Sequence, residues 1–124
     1  MPYKITHDAD TDCVRTLIEG ELDMDLVRKI ANDLRDVAFH NGCKYYLSDI
    51  RQADVKLNLW EIYELPELTA SVLPPSFRAA LIVRSESDLS RFYQNASRNY
   101  DQSIKVFTDI QAAERWLFDD QLVK

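Results

Sequence analysis

Two charged residues, Asp49 and Arg51, follow an apolar and aromatic run, K-Y-Y-L, that is typical of a buried strand. Arg84 and Ser85 follow a second apolar run, A-A-L-I-V, in the same way. Parallel strands end at a shared edge of the sheet, which is where α/β proteins bind ligands. At this edge, Arg51 and Arg84 could bind a small anion. If the role of Asp49 is structural, its carboxylate would instead pair with Arg51. We favour the structural interpretation and keep the anion site as the alternative.

The residues needed for catalysis are scarce. The chain contains two histidines, two cysteines and two glycines, so it has no Gly-rich phosphate loop, dinucleotide fingerprint or nucleophile elbow. No Ser-His-Asp or Cys-His arrangement is readable, and Cys43 precedes a strand instead of the helix N-terminus that would lower its pKa. The sequence therefore predicts a protein that is not an enzyme and uses no cofactor.

Two sets of residues resemble metal ligands. The first has the oxygen spacing of a calcium loop and consists of Asp8, Asp10, Asp12 and Glu19. Cys13 stands where that loop needs glycine, and strands instead of helices flank it, so we predict a hairpin turn. The second set consists of His7, His40, Cys13 and Cys43. It has neither C-x-x-C nor H-x-x-H spacing, and we predict no metal site there.

The strands that would position these residues follow from apolar runs bounded by turn residues. We predict strands over Tyr3–His7, Cys13–Glu19, Lys44–Ala53, Arg78–Arg84 and Ser103–Phe107. Gly20 is expected to end the second strand. The link between the first two strands is short enough for an antiparallel hairpin only.

Four helical regions alternate with the later strands. The first is Asp23–Asn41, with Asp23 as N-cap, Gly42 after its end, and Ile30 and Leu34 facing the core. The second, Leu57–Leu73, is expected to break near Leu65 because Pro66 removes a backbone donor. The third is capped by Ser85 or Ser87, and its inward face consists of Leu89, Phe92, Tyr93, Ala96 and Tyr100. The last begins with a capping box formed by Thr108 and Gln111.

The element order is therefore β-β-α-β-α-β-α-β-α. It predicts an α/β fold with a five-stranded mixed, mostly parallel sheet and right-handed crossovers. The length of 124 residues suits one domain, residues 1–124.

Charge and hydropathy restrict the partners. The net charge of −6 disfavours nucleic acid and anionic membranes. No apolar run is long enough for membrane insertion or a signal peptide, so we expect a cytoplasmic protein.

Aromatic residues are frequent in the middle of the chain. The set consists of Trp60, Tyr63, Phe77, Phe92, Tyr93 and Tyr100. The surplus around Trp60–Leu73 predicts one of two things: a surface for a protein partner, such as a homodimer contact, or a pocket for a small apolar ligand. We favour a non-enzymatic interaction module and keep a carrier or sensor of a small molecule as the alternative.

Four segments can be compared with known families: G-E-L-D at 20–23, Y-Y-L-S-D-I-R at 45–51, R-A-A-L-I-V at 78–83 and V-F-T-D-I-Q-A-A-E-R-W-L at 106–117. Together they resemble the SpoIIAA-like family, whose fold is shared by STAS domains and, more distantly, by CRAL-TRIO domains. The resemblance implies a mixed sheet wound as a right-handed βα superhelix. Anti-sigma-factor antagonists carry a phosphorylatable Ser after the central strand, but residues 49–58 contain neither Ser nor Thr. The resemblance thus implies a regulatory or interaction module without that phospho-acceptor.

Overall fold

The structure, a computed structural model, describes residues 2–74, 76–98 and 102–122. Tyr100, which was predicted to lie on the inward face of the third helix, is outside these ranges. Within them the strands are β1 (Tyr3–Asp8), β2 (Cys13–Leu22), β3 (Tyr45–Val55), β4 (Arg78–Ile82) and β5 (Ser103–Phe107). The helices are α1 (Met24–Asn41), α2 (Leu59–Val72), α3 (Asp88–Arg98) and α4 (Ile110–Leu122).

The five strands form one sheet in the order β1-β2-β3-β4-β5. β1 pairs with β2 in antiparallel fashion, with Tyr3 opposite Ile18, and each later pair is parallel. Every parallel connection passes through a helix, as parallel pairing requires. The predicted five-stranded mixed sheet and element order are confirmed.

Helices cover both faces of the sheet. α1, α2 and α3 lie on one face, where Ala38 of α1 packs with Val14 and Tyr46. α4 lies on the other face, where Ala113 and Leu117 pack against the sheet. Alternation along each strand divides the side chains between these two cores. In the described part of the chain, every helix is too short or too polar to cross a bilayer.

β2 and β3 are longer than predicted. Gly20 does not end β2, because the glycine adopts φ +77° within the strand and pairing continues to Leu22 opposite Val55. Leu17 pairs with Asp49 but Glu19 pairs with Gln52, so β3 carries one extra residue, a β-bulge. The prediction that Asp49 and Arg51 stand at the end of the strand is therefore wrong, since both lie within β3.

The caps of α1 are those the sequence predicted. The Asp23 side chain accepts a hydrogen bond from the backbone N–H of Leu26 at 2.9 Å. Gly42 adopts φ 62°, and its N–H donates to the carbonyl of Ala38 at 2.8 Å. Both ends of the helix are thus satisfied by local interactions.

The predicted break in the second helix is wrong, because α2 is continuous with Pro66 inside it. Pro66 is fully buried, and its carbonyl accepts a hydrogen bond from Nε2 of Gln102 at 2.7 Å. Burial of the ring offsets part of the lost backbone hydrogen bond. Asn58 and Glu61 also form a reciprocal capping box at the start of α2, which the sequence analysis did not identify.

One of the two predicted caps of the last two helices is found, at α3, and the other, at α4, is wrong. Ser87 caps α3, as one of the two alternatives predicted, and exchanges hydrogen bonds with Ser90. At α4 the cap is Asp109, whose carboxylate accepts the backbone N–H groups of Gln111 and Ala112. The predicted box starting at Thr108 is wrong, because the helix begins one residue later than that box requires.

Candidate functional site

An apolar cavity of about 270 Å³ lies between the sheet and the three helices α1, α2 and α3. The sheet side consists of side chains such as Ile18, Ile50 and Leu81, and α1 contributes Ile30 and Leu34. The α2 side consists of Ile62, Leu65, Leu68, Thr69 and Val72. None of the described lining residues is Asp, Glu, Lys, Arg or His. The interior is therefore uncharged and suits a neutral, apolar molecule.

Small side chains leave the cavity open. Ala31 of α1 and Ala79 of β4 line it, and Ser48 of β3 lines it on the sheet side. Strand alternation places Ser48 and Ile50 on the same face, while helical spacing places Ile30, Ala31 and Leu34 opposite. Larger residues at these positions would close the space, so the cavity results from side chains on separate elements.

The polar groups at the cavity are hydroxyls. The Ser87 and Ser90 side chains are engaged in the cap of α3. Burial raises the pKa of Tyr93 to about 12, so this phenol stays neutral near pH 7. The side-chain hydroxyl of Ser48, which lies opposite Thr16 in the sheet, makes no hydrogen bond within the described ranges. This hydroxyl is therefore available to one polar group of a ligand.

The predicted ligand residues Trp60 and Tyr63 do not line this cavity. Their exposures are 79% and 51%, because the inner face of α2 is formed by residues at positions 62, 65, 66 and 69. The two residues lie at other angles around the helix. Tyr63 stacks on Phe92 of α3, with ring centroids 6.4 Å apart. We call Trp60, Tyr63 and Phe92 the aromatic surface.

Asp49 and Arg51 form the pair that the sequence predicted. The Asp49 carboxylate accepts hydrogen bonds from the Arg51 backbone N–H at 3.1 Å, Nε at 3.0 Å and Nη2 at 2.8 Å. These bonds from Arg51 hold the pKa of the Asp49 carboxyl below its usual range. Asp49 lies beside Leu47 and Ile110 on the α4 face, so the pair is on the opposite side of the sheet from the cavity.

Arg84 binds backbone atoms of β3. Its Nε donates to the carbonyl of Arg51 at 3.0 Å, and its Nη2 donates to the carbonyl of Ala53 at 3.2 Å. β4 ends at Ile82 whereas β3 continues, so the guanidinium satisfies carbonyls that have no strand partner there. Ser85 is exposed and makes no hydrogen bond within the described ranges. Arg51 and Arg84 thus lie near each other, but both guanidinium groups already donate hydrogen bonds to oxygen atoms of the protein. This does not favour an anion site formed by the two arginines.

Comparison with known proteins identifies the fold of this chain. No protein-family model matches the sequence, and no curated protein matches it in a sequence search. A solved structure of an uncharacterised DUF3478-family protein with a SpoIIAA-like fold, from Shewanella loihica, matches with TM-score 0.58 and 20% identity. The match covers 93% of this chain and 91% of that one. The anti-sigma factor antagonist SpoIIAA in its unphosphorylated form matches with TM-score 0.57 and 13% identity, over 91% of this chain and 96% of that one. The chain has a SpoIIAA-like fold, as the resemblance of its motifs implied.

Proposed function

We propose that this protein is a non-enzymatic binding module that holds a small, neutral, apolar molecule in the cavity beneath α2, as a carrier or sensor. The observation that carries the proposal is the uncharged cavity of about 270 Å³. An apolar cavity of about 150 Å³ in another protein stays dry and binds benzene, so this one has room for roughly ten non-hydrogen atoms. We further propose that residues 1–124 act as one domain in the cytoplasm.

Two physical arguments support a bound molecule. An unfilled apolar cavity forfeits dispersion contacts along its walls. A ligand that fills the space restores those contacts. The free hydroxyl of Ser48 supports a ligand with one hydrogen-bonding group, because a hydroxyl facing an apolar space is costly without a partner.

α2 is the element that can admit such a molecule. Only Ile62 and Pro66 of this helix are buried among its described residues. Pro66 has no backbone N–H, so the helix lacks one internal hydrogen bond at its centre. An element with few buried residues opens at a low free-energy cost. Ligand entry is therefore expected to involve displacement of α2.

Native mass spectrometry of protein purified without denaturation tests the proposal. We expect a mass increment from a co-purified small molecule, and extraction should identify it as neutral and apolar. The matched control is Ala31→Leu, which places three more carbon atoms in the cavity and should lose the increment. Wild-type protein that carries no molecule and binds no neutral apolar dye would contradict the proposal.

A second candidate is a regulatory or protein-interaction module, which the SpoIIAA-like fold and the aromatic surface support. Trp60 is 79% exposed, and large exposed aromatics often mark contacts between proteins. The expected partner is a protein or a second copy of this chain. Light scattering over a dilution series tests the homodimer, with Trp60→Ala expected to weaken it. A strict monomer at high concentration would count against self-association.

A further inference from the structure

Three potential metal ligands meet at the amino ends of β2 and β3. His7 and Asp12 are five residues apart in the sequence, and Cys43 lies 31 residues after Asp12. Nε2 of His7 lies 3.0 Å from Oδ1 of Asp12, and Sγ of Cys43 lies 3.4 Å from the same oxygen. All three ligand atoms lie within 4.8 Å of one another. His7 comes from β1, Asp12 from the hairpin turn and Cys43 from the segment after α1. None of them lines the apolar cavity, so the cluster is independent of the proposed function.

Two of the three distances between the ligand atoms are close to those of a coordination sphere. In a tetrahedral zinc site with Zn–N and Zn–O near 2.0 Å and Zn–S near 2.3 Å, neighbouring N and O atoms lie about 3.3 Å apart, and O and S about 3.5 Å. The observed separations of 3.0 and 3.4 Å differ from these values by a few tenths of an ångström. The third separation, between Nε2 of His7 and Sγ of Cys43, is at most 4.8 Å. Small side-chain rotations that bring these two atoms to about 3.5 Å would let a cation replace the two hydrogen bonds.

Local structure holds the three residues in place. Asp12 adopts φ 55°, the left-handed region, which is uncommon for residues other than glycine and is tolerated best by Asn and Asp. The β1–β2 register sets His7 opposite Val14, next to the turn. Gly42 ends α1 in the left-handed conformation and directs the chain to Cys43, whose carbonyl accepts a hydrogen bond from the Tyr46 hydroxyl at 2.8 Å.

We propose that His7, Asp12 and Cys43 form a binding site for a divalent cation that prefers nitrogen and sulfur ligands, with Zn²⁺ as the first choice. Imidazole, thiolate and carboxylate are the ligands that zinc takes in proteins. Water completes the coordination, since the side chains of His7 and Asp12 are 26% and 52% exposed. Binding replaces the Cys43 S–H bond by an S–Zn bond, and the proton passes to solvent.

The ligand charges suit such an ion. Thiolate and carboxylate together neutralise the two positive charges of the cation, so no net charge is created beside the core. In the absence of a metal, burial and the hydrogen bond to Asp12 raise the pKa of the Cys43 thiol to about 11. Metal binding would tie the β1–β2 hairpin to the α1–β3 junction and so stabilise the folded state by mass action.

Titration of the reduced protein with Co²⁺, followed by displacement with Zn²⁺, tests the site. We expect one equivalent of cobalt to produce the near-ultraviolet charge-transfer band of a thiolate–cobalt bond, and zinc to abolish it. The chain offers a matched control for the cysteine ligand and for the histidine ligand, because it has two cysteines and two histidines. Cys43→Ala should lose the band and Cys13→Ala should keep it. A wild-type protein without the band, or a band that survives Cys43→Ala, would overturn the proposal.

The exposed ligands provide a second measurement if the cysteine variants fail to fold. His7→Ala and Asp12→Asn should each weaken zinc binding by more than about 100-fold, because even partners outside the coordination sphere cost about 10- to 100-fold. His40→Ala should bind zinc as the wild type does. Zinc should also raise the Tm of the wild type but not that of His7→Ala. Equal affinities for zinc in His7→Ala and His40→Ala would refute the assignment of His7.

Discussion

Two alanines of α1 are expected to respond in opposite directions to the same substitution, because only one of them borders the cavity. Ala31 and Ala38 are buried and two helical turns apart, so both face the sheet. Ala31 borders the cavity, whereas Ala38 packs into the cluster that contains Val14 and Tyr46. Leucine and alanine differ little in helix propensity, so the change to leucine isolates the effect of packing.

The magnitudes follow from the number of atoms added. Three carbon atoms from Ala31→Leu that fill empty space contribute about 0.8 kcal/mol each, less about 0.5–1 kcal/mol of rotamer entropy. We therefore expect Ala31→Leu to raise the free energy of unfolding by about 1.5–2 kcal/mol, and Tm by roughly 5–8 °C for a domain of this size. Ala38→Leu forces the same atoms into filled space and should destabilise the protein by about 1–3 kcal/mol.

Urea unfolding of protein freed of bound molecules measures both effects. Removal of any ligand matters, because a molecule already in the cavity would compete with the new leucine side chain. Binding of a neutral apolar dye should be lost in Ala31→Leu. If both variants are destabilised by similar amounts, the space beside Ala31 is filled and the reasoning is wrong. If Ala31→Leu is stabilised but still binds the dye, the dye binds elsewhere.

Three further predictions concern residues outside the cavity wall. Asp49→Ala should lower the free energy of unfolding by about 1 kcal/mol, because solvent replaces only part of the contact with Arg51, and Asp49→Asn should cost less. Since the folded-state pKa of Asp49 is lowered, this contribution to stability is complete above about pH 4 and is lost as pH falls through that pKa. If Asp49→Ala has the same urea midpoint as the wild type at pH 7, the predicted contribution of Asp49 is refuted. Pro66→Ala should regain up to about 3 kcal/mol of helix stability and lose about 1.6 kcal/mol of ring burial, a net gain of at most about 1.4 kcal/mol in thermal melts; a clear loss would mean that the ring packing dominates. Gly20→Ala should cost about 1 kcal/mol through its φ of +77° alone, because no atom within 4 Å would meet the new Cβ; a loss of several kcal/mol in the same melts would contradict this.

The sequence alone determined the features that depend on neighbouring residues. Asp23 and Gly42 cap α1 through groups three or four residues away, so local pattern was enough to predict both. The short link between β1 and β2 permitted only an antiparallel hairpin, and alternating apolar segments then required parallel crossovers. The contact between Asp49 and Arg51, two residues apart, was predictable for the same reason.

The tertiary structure decided features whose energy comes from distant partners. Pro66 is expected to break a helix because it has no backbone N–H. Its burial and the hydrogen bond from Gln102 nevertheless keep α2 continuous. The bulge that keeps Asp49 and Arg51 inside β3 arises from the register with β2, which no local pattern encodes. Interactions that bring together residues far apart in the chain are invisible to local periodicity.

The two candidate sites are of this second kind. The cavity depends on small side chains, Ala31, Ser48 and Ala79, that belong to separate elements and face one another only after the helices pack on the sheet. His7, Asp12 and Cys43 have no metal-binding spacing in the sequence, and they meet because the hairpin register and the end of α1 converge. The approximate positions of most helices and strands follow from patterns within a few residues, whereas empty volume and ligand geometry are set by how completed elements pack.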